Sequence, residues 1–259
     1  MTVVSTGTVR RIGIGVGGIG LGFGLWWVAV VLFAPPTYIL PAPAAVLGRL
    51  AGNPTLYIEN AWITTQKVLL GGGVGAASGI VLGVLIAKIR VLRASLLPYL
   101  VTMRVLPKIA IAPVLLIYFG LGMQTAILFV AIIAVFPVAI STAAGFERVP
   151  ERHLDLLQSV AANPRRTLVR VEARYALPDV FAGLKQAAAL SVIGAIVAEW
   201  IVSTSGLGYL ILVASETVQT TVLLAALLLL VAVGLAIYGS VALFQRVTVG
   251  PSSRYAGPT

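Results

Sequence analysis

Residues 146–179 read FERVPERHLDLLQSVAANPRRTLVRVEARYALPD, and the reading of this polar stretch decides the architecture. It carries six arginines and five of the chain's eight acidic residues. Apolar runs flank it at 125–144 and 180–202. Each is about 20 residues or more, the length of helix needed to cross about 30 Å of hydrocarbon. A chain that gathers its charge between two such runs places that segment in water beside a membrane and presents it as a docking surface.

Composition agrees. Of the 259 residues, 59% are hydrophobic and 10% charged, and mean hydropathy is +1.04. A soluble domain carries about 25% charged residues. The absence of cysteine excludes disulfides, thiol catalysis and Cys-based metal sites, and the single histidine, His153, builds no cluster. The formal charge of +10 reflects membrane topology rather than nucleic-acid binding, because Lys and Arg accumulate in cytoplasmic loops.

The fold class is therefore all-α and polytopic, as one transmembrane domain over 1–259. Six spans fit: 12–34, 68–87, 96–119, 125–144, 180–202 and 221–244. Residues 1–11 and 247–259 form cytoplasmic ends around a membrane domain at 12–246. The first span holds 23 residues without a charge and follows Arg10 and Arg11; it reads as an uncleaved helix, not a signal peptide. With the N-terminus inside, thirteen Lys and Arg residues fall on the cytoplasmic side, against Arg49 and Lys67 outside. Glycines at four-residue spacing, Gly71, Gly75, Gly79 and Gly83, with a further set at Gly13, Gly17 and 20–24, predict close helix contact in lipid. The run 71–73 lacks the Lys and Ser or Thr of a phosphate loop.

Within the charged loop, Pro150 suits a helix start. Leu154, Leu157, Val160 and Ala161 recur at helical spacing, predicting a helix over 151–162. Asn163-Pro164 ends it. A second helix follows with Arg166, Arg170 and Arg174 on one face, a pattern that also suits an interfacial helix on phosphate headgroups.

These residues resemble the integral-membrane permease subunits of bacterial ABC importers, in the nitrate, sulfonate and taurine branch. The likeness runs from Pro41 to about Arg246. It rests on Leu40-Pro41-Ala42-Pro43, on 106–113 with Tyr118-Phe119-Gly120-Leu121-Gly122, and on Ala198-Glu199 with Gly206-Leu207-Gly208-Tyr209. The family's loop motif, Glu-Ala-Ala with a Gly four residues on, falls on Asp155, Leu156, Leu157 and Ala161, so every position is substituted. The resemblance implies two permease subunits, homo- or heterodimeric, and two separate ATPase subunits that bind ATP and Mg. An extracytoplasmic solute-binding protein delivers the substrate in the bacterial inner membrane. This chain then binds no cofactor and is not itself an enzyme. The ATPase-coupling residues would be Glu151, Leu154, Asp155, Leu157, Gln158, Val160 and Ala161.

Four ionisable residues fall within the predicted spans: Arg104, Lys108, Lys185 and Glu199. Charges at membrane depth face the bundle interior or a water-filled cavity. Arg104, Lys108 and Glu199 are the candidate pathway residues. Lys185 sits near a span end and snorkels. Lys108 lies roughly 18 Å along its span and Glu199 about 28 Å along the fifth, so a direct bond between them needs a tilt or kink. Cations on the pathway favour a small anionic solute. Two other readings compete: a secondary transporter with inverted repeats, and a polytopic membrane enzyme. The sequence shows neither an internal repeat nor clustered catalytic carboxylates.

Overall fold

The computed structural model describes residues 6–103 and 107–249. Among them every regular element is helical. The order is α1 (Thr6–Phe33), α2 (Pro43–Gly52), α3 (Pro54–Lys88), α4 (Arg90–Thr102), a 3₁₀ turn (Lys108–Ala110), α5 (Ile111–Phe119) and α6 (Met123–Glu147). The loop supplies α7 (Glu151–Ser159) and α8 (Pro164–Thr167). A π-turn (Leu168–Glu172) then leads into α9 (Ala173–Val202), followed by α10 (Leu207–Glu216) and α11 (Thr220–Val249).

Among the described residues four helices are long and apolar enough to cross a membrane: Pro54–Lys88, Met123–Glu147, Pro164–Val202 and Thr220–Val249. Gly20–Phe33, Lys108–Phe119 and Leu207–Glu216 are shorter apolar helices. The expected third span, 96–119, is not one helix. Pro107 adopts φ −68°, ψ 91°, and the chain re-enters helix through a 3₁₀ turn. Proline cannot donate the hydrogen bond that would carry a helix through this point. The second span begins at Pro54, well before the predicted residue 68. Its first four turns contain Glu59, Asn60, Thr64 and Lys67, which hid them from an apolar search.

The centre of the bundle is α6, which is apolar all round, as a fully surrounded helix must be. Ala126, Phe129, Val130, Ala134, Val138 and Ala139 are inaccessible to solvent. It packs on α3 and on α9. The α3 face is the glycine stripe: a Cβ on Gly71, Gly75, Gly79 or Gly83 would come within 2.5–2.7 Å or 2.8 Å of α6 atoms such as Val130 Cβ, the Ala131 and Val135 carbonyls and Thr142 Cβ. The first-span glycines behave otherwise. Nothing within 4 Å would meet a Cβ at Gly17, Gly18, Gly20, Gly22 or Gly24, so these glycines make no close helix contact among the described residues. Among its described side chains, Trp26 fixes α1, donating from Nε1 to the Pro41 carbonyl at 3.1 Å.

Candidate functional site

Two Lys–Glu pairs fasten α3 to the helix that runs from the π-turn through α9. Lys67 Nζ donates to Glu199 Oε1 at 3.0 Å, with both side chains essentially inaccessible. Lys88 pairs with Glu172, and its ammonium lies 5.9 Å from the centre of the Phe146 ring. The two lysines stand 21 residues apart on one helix, about 31 Å at the helical rise. That is the thickness of a hydrocarbon core.

The first pair corrects the placing of Lys67 in an outer loop, and it agrees with the distance argument against a direct Lys108–Glu199 bond. Lys67 is not an outer-loop cation, and it is Lys67, not Lys108, that bonds Glu199. An ammonium and a carboxylate removed from water need each other and a full set of hydrogen bonds. Here both have them. Lys67 Nζ also donates to Ser203 Oγ and to the Ser205 carbonyl, each at 2.8 Å. Thr64 donates to Glu199 Oε1 at 2.8 Å and accepts from the Leu207 amide at 2.8 Å. The Gly208 amide donates to Glu199 Oε2 at 2.6 Å, and the Gly206 amide to Asn60 Oδ1 at 2.7 Å. These bonds fold the turn between α9 and α10 around the ion pair. Gly206 holds φ +114°, and a Cβ there would lie 2.0 Å from Glu199 Oε1. The Gly122 amide, at the start of α6, donates to the Val202 carbonyl at 2.8 Å. The ends of α3, α6, α9 and α10 thus form one joined block. Sequence reading missed Lys67, Thr64 and Asn60; their four- and three-residue spacing on a continuous helix is the signal that would have found them.

Around the second pair the loop neutralises its own base. Arg93 Nη2 lies 3.0 Å from Glu147 Oε2, and Arg148 Nη1 lies 2.9 Å from Asp179 Oδ1. With Lys88–Glu172, three of the loop's five acids are engaged. The remaining two, Glu151 and Asp155, are exposed on α7.

α7 is shorter than predicted and turned differently. It ends at Ser159, so Val160 and Ala161 lie in its cap. The Ala161 amide donates to the Gln158 carbonyl and the Ala162 amide to the Leu157 carbonyl, both at 2.9 Å. This is a Schellman ending, whose residue after the cap takes the left-handed conformation. Ala161 does so, at φ 51°. The family glycine that the resemblance places here meets that requirement without a Cβ penalty. Leu154 and Leu157 are half-buried, while Leu156 and Val160 are 63% and 67% exposed. The outward apolar pair is therefore Leu156 and Val160. His153 anchors the helix to α9, its ring 5.7 Å from that of Tyr175 and its Nδ1 3.4 Å from the Tyr175 hydroxyl.

Of the pathway candidates, Arg104 lies outside the described residues. Lys108 opens the 3₁₀ turn, half-buried, and no acidic partner reaches it among the described residues. Lys185 is half-buried on α9. Glu199 is committed to the block described above. The described residues contain no His, Asp or Glu group that could hold a metal.

A helical membrane block with a separate polar loop matches a known pattern: residues 79–249 match the family described as "Binding-protein-dependent transport system inner membrane component". The chain belongs to this family. It is 35% identical to the "Probable ABC transporter permease protein" of Haemophilus influenzae over 86% of this chain and 91% of that one. It is 32% identical to the riboflavin transport system permease protein of Chloroflexus aurantiacus, covering 86% and 84%. With the taurine transport system permease protein of Escherichia coli it shares 27% over 84% and 82%. Its fold is like that of a chain of the MetNI methionine ABC transporter in inward-facing conformations, with TM-score 0.64 at 20% identity, covering 73% and 94%. The protein is thus the permease component of a binding-protein-dependent ABC importer, a transport subunit integral to the inner membrane and not an enzyme.

Proposed function

We propose that this permease carries a small anionic solute, of nitrate, sulfonate or taurine type, through a six-span bundle with both ends cytoplasmic. In this reading α1, α3, the α4–α5 pair, α6, α9 and α11 are the six spans, and 146–179 is the cytoplasmic loop. A second permease subunit, identical or related, completes the pathway. Two ATPase subunits, which bind the ATP and Mg, dock on α7, and an extracytoplasmic binding protein delivers the solute on the other side. ATP-driven closure moves α7 and, through His153–Tyr175 and the paired base of the loop, shifts α9.

The observation that carries the coupling role is the exposed Leu156–Val160 pair flanked by Glu151, Asp155 and Gln158. An apolar patch with a charged rim on a lightly anchored helix is the form of a protein contact. Leu156→Asp places a charge in that contact. Loss of a central contact residue costs about 2 kcal/mol or more. ATPase subunits should then fail to copurify, and substrate-stimulated hydrolysis should fall by over an order of magnitude, with the permease still inserted at normal yield. Normal copurification and hydrolysis would end this assignment.

Lys108 supports the anionic substrate, as a cation at membrane depth without an acid beside it. Lys108→Met should slow uptake of taurine or an alkanesulfonate several-fold with assembly intact. The riboflavin relative supports a second reading, a neutral heterocyclic solute. Under it, Lys108→Met leaves uptake unchanged, and riboflavin rather than a sulfonate drives hydrolysis.

A further inference from the structure

We propose that Arg165, Arg166, Arg170 and Arg174 form a headgroup site for anionic phospholipid at the membrane boundary set by the Lys88–Glu172 pair. All four are exposed. No acidic side chain pairs with any of them among the described residues, whereas Arg93, Arg148 and Lys88 close by each have one. The cations of this segment are thus left uncompensated as a group, while those at the loop base are neutralised one by one. Glu172, the one acid within the segment, is buried and taken by Lys88.

Depth makes the ligand a lipid. Pro164–Val202 runs as 39 residues of continuous helix, about 58 Å, against about 30 Å of hydrocarbon. Glu172 marks the boundary on this helix. At the helical rise Arg174 then lies about 3 Å inside it, Arg170 about 3 Å outside, and Arg166 and Arg165 about 9–10 Å outside. That window covers the headgroup layer, within reach of a long guanidinium stem. Val169 is 67% exposed between the arginines, an apolar side chain that suits the interface and not a charged protein surface in water. Basic clusters next to a span select anionic lipid at about 1 kcal/mol per residue, roughly a fivefold preference for each arginine. The site differs from the α7 patch and does not depend on which solute is carried.

The test uses the assembled transporter with its ATPase partners, reconstituted in phosphatidylcholine vesicles with or without phosphatidylglycerol. Lipid retained after purification is counted by native mass spectrometry for wild type and for Arg166→Gln/Arg170→Gln/Arg174→Gln. Wild type should retain phosphatidylglycerol over phosphatidylcholine, the excess falling with salt. The triple variant should lose on the order of a hundredfold in that preference. The matching lysine variant, which keeps the charge, should retain most of it and shows that loss in the glutamine variant is not misfolding. Equal retention of the two lipids by wild type overturns the proposal. So does a glutamine variant that keeps its lipid but sheds its ATPase subunits, because the arginines would then face protein.

Discussion

At Gly206 a Cβ would stand 2.0 Å from Glu199 Oε1, and φ is +114°, so both space and backbone exclude any other residue. Gly206→Ala must push the carboxylate away from Lys67 and Thr64 and strain the turn as well. It should lower stability by at least about 2 kcal/mol, read as thermal unfolding in detergent by tryptophan fluorescence. Gly52→Ala, where nothing lies within 4 Å, should stay within about 0.5 kcal/mol of wild type. The ion pair itself allows a sharper measurement. Lys67→Met leaves Glu199 buried without its countercharge, at a cost of about 3–5 kcal/mol. Adding Glu199→Gln removes the stranded charge yet keeps an acceptor for Thr64 and Gly208, so the double variant should recover more than half of the loss. If Lys67→Met unfolds like wild type, the pair does not hold the block together. None of this could be read from the residues in order. Lys67 and Glu199 stand 132 positions apart, and a lysine near the start of a span looks like a loop residue until the helix is seen to continue past it.

Helices and their ends were more legible. Four-residue glycine spacing announced the α3–α6 contact, because a repeat of four keeps one helix face free of side chains. The glycines from Gly17 to Gly24 in α1 meet no partner among the described residues, since spacing fixes a face but not what covers it. The contrast within α3 is testable: Gly79→Ala would put Cβ 2.8 Å from the Val135 carbonyl, whereas Gly73 faces open space. Gly79→Ala should destabilise by about 1–3 kcal/mol, and Gly73→Ala should be neutral or stabilising by up to about 1 kcal/mol. Unfolding midpoints of the two variants decide it, and equal values would mean that the helices slide apart freely. Helix ends follow the same logic. α10 closes with a second Schellman turn, the Gln219 amide donating to the Ala214 carbonyl at 2.8 Å, around Val218 at φ 56°. A β-branched residue in that conformation is strained. Ala161→Gly and Val218→Gly should each leave the fold intact, with Val218→Gly giving the larger rise in melting temperature because valine carries the larger penalty. The apolar spacing predicted a helix over 151–162 where α7 spans Glu151–Ser159, but not the face that helix turns outward. That face depends on His153 meeting Tyr175 across 22 positions.

For the molecule as a whole, the proposed direction rests on the bias of Lys and Arg towards the cytoplasmic side. A bundle inserted the other way would carry those thirteen cations to the outer surface, against the bias that sets orientation during insertion. The charged loop was legible for this reason: its composition alone separates it from the spans. The break in the third span was legible in part: Pro107 and Pro113 predict a bend within 96–119, but not that the backbone becomes extended at Pro107. Since the chain contains no cysteine, sidedness can be measured one position at a time. Gly52→Cys lies at the end of α2 and Ser159→Cys at the end of α7, both exposed and clear of the core. In intact cells a membrane-impermeant maleimide should label Gly52→Cys, and it should reach Ser159→Cys only after the inner membrane is opened. ATPase subunits bound to α7 should protect Ser159→Cys further, and washing them off should restore its labelling. Labelling of Ser159→Cys from outside would invert the topology and, with it, remove α7 as a site for any ATP-driven partner.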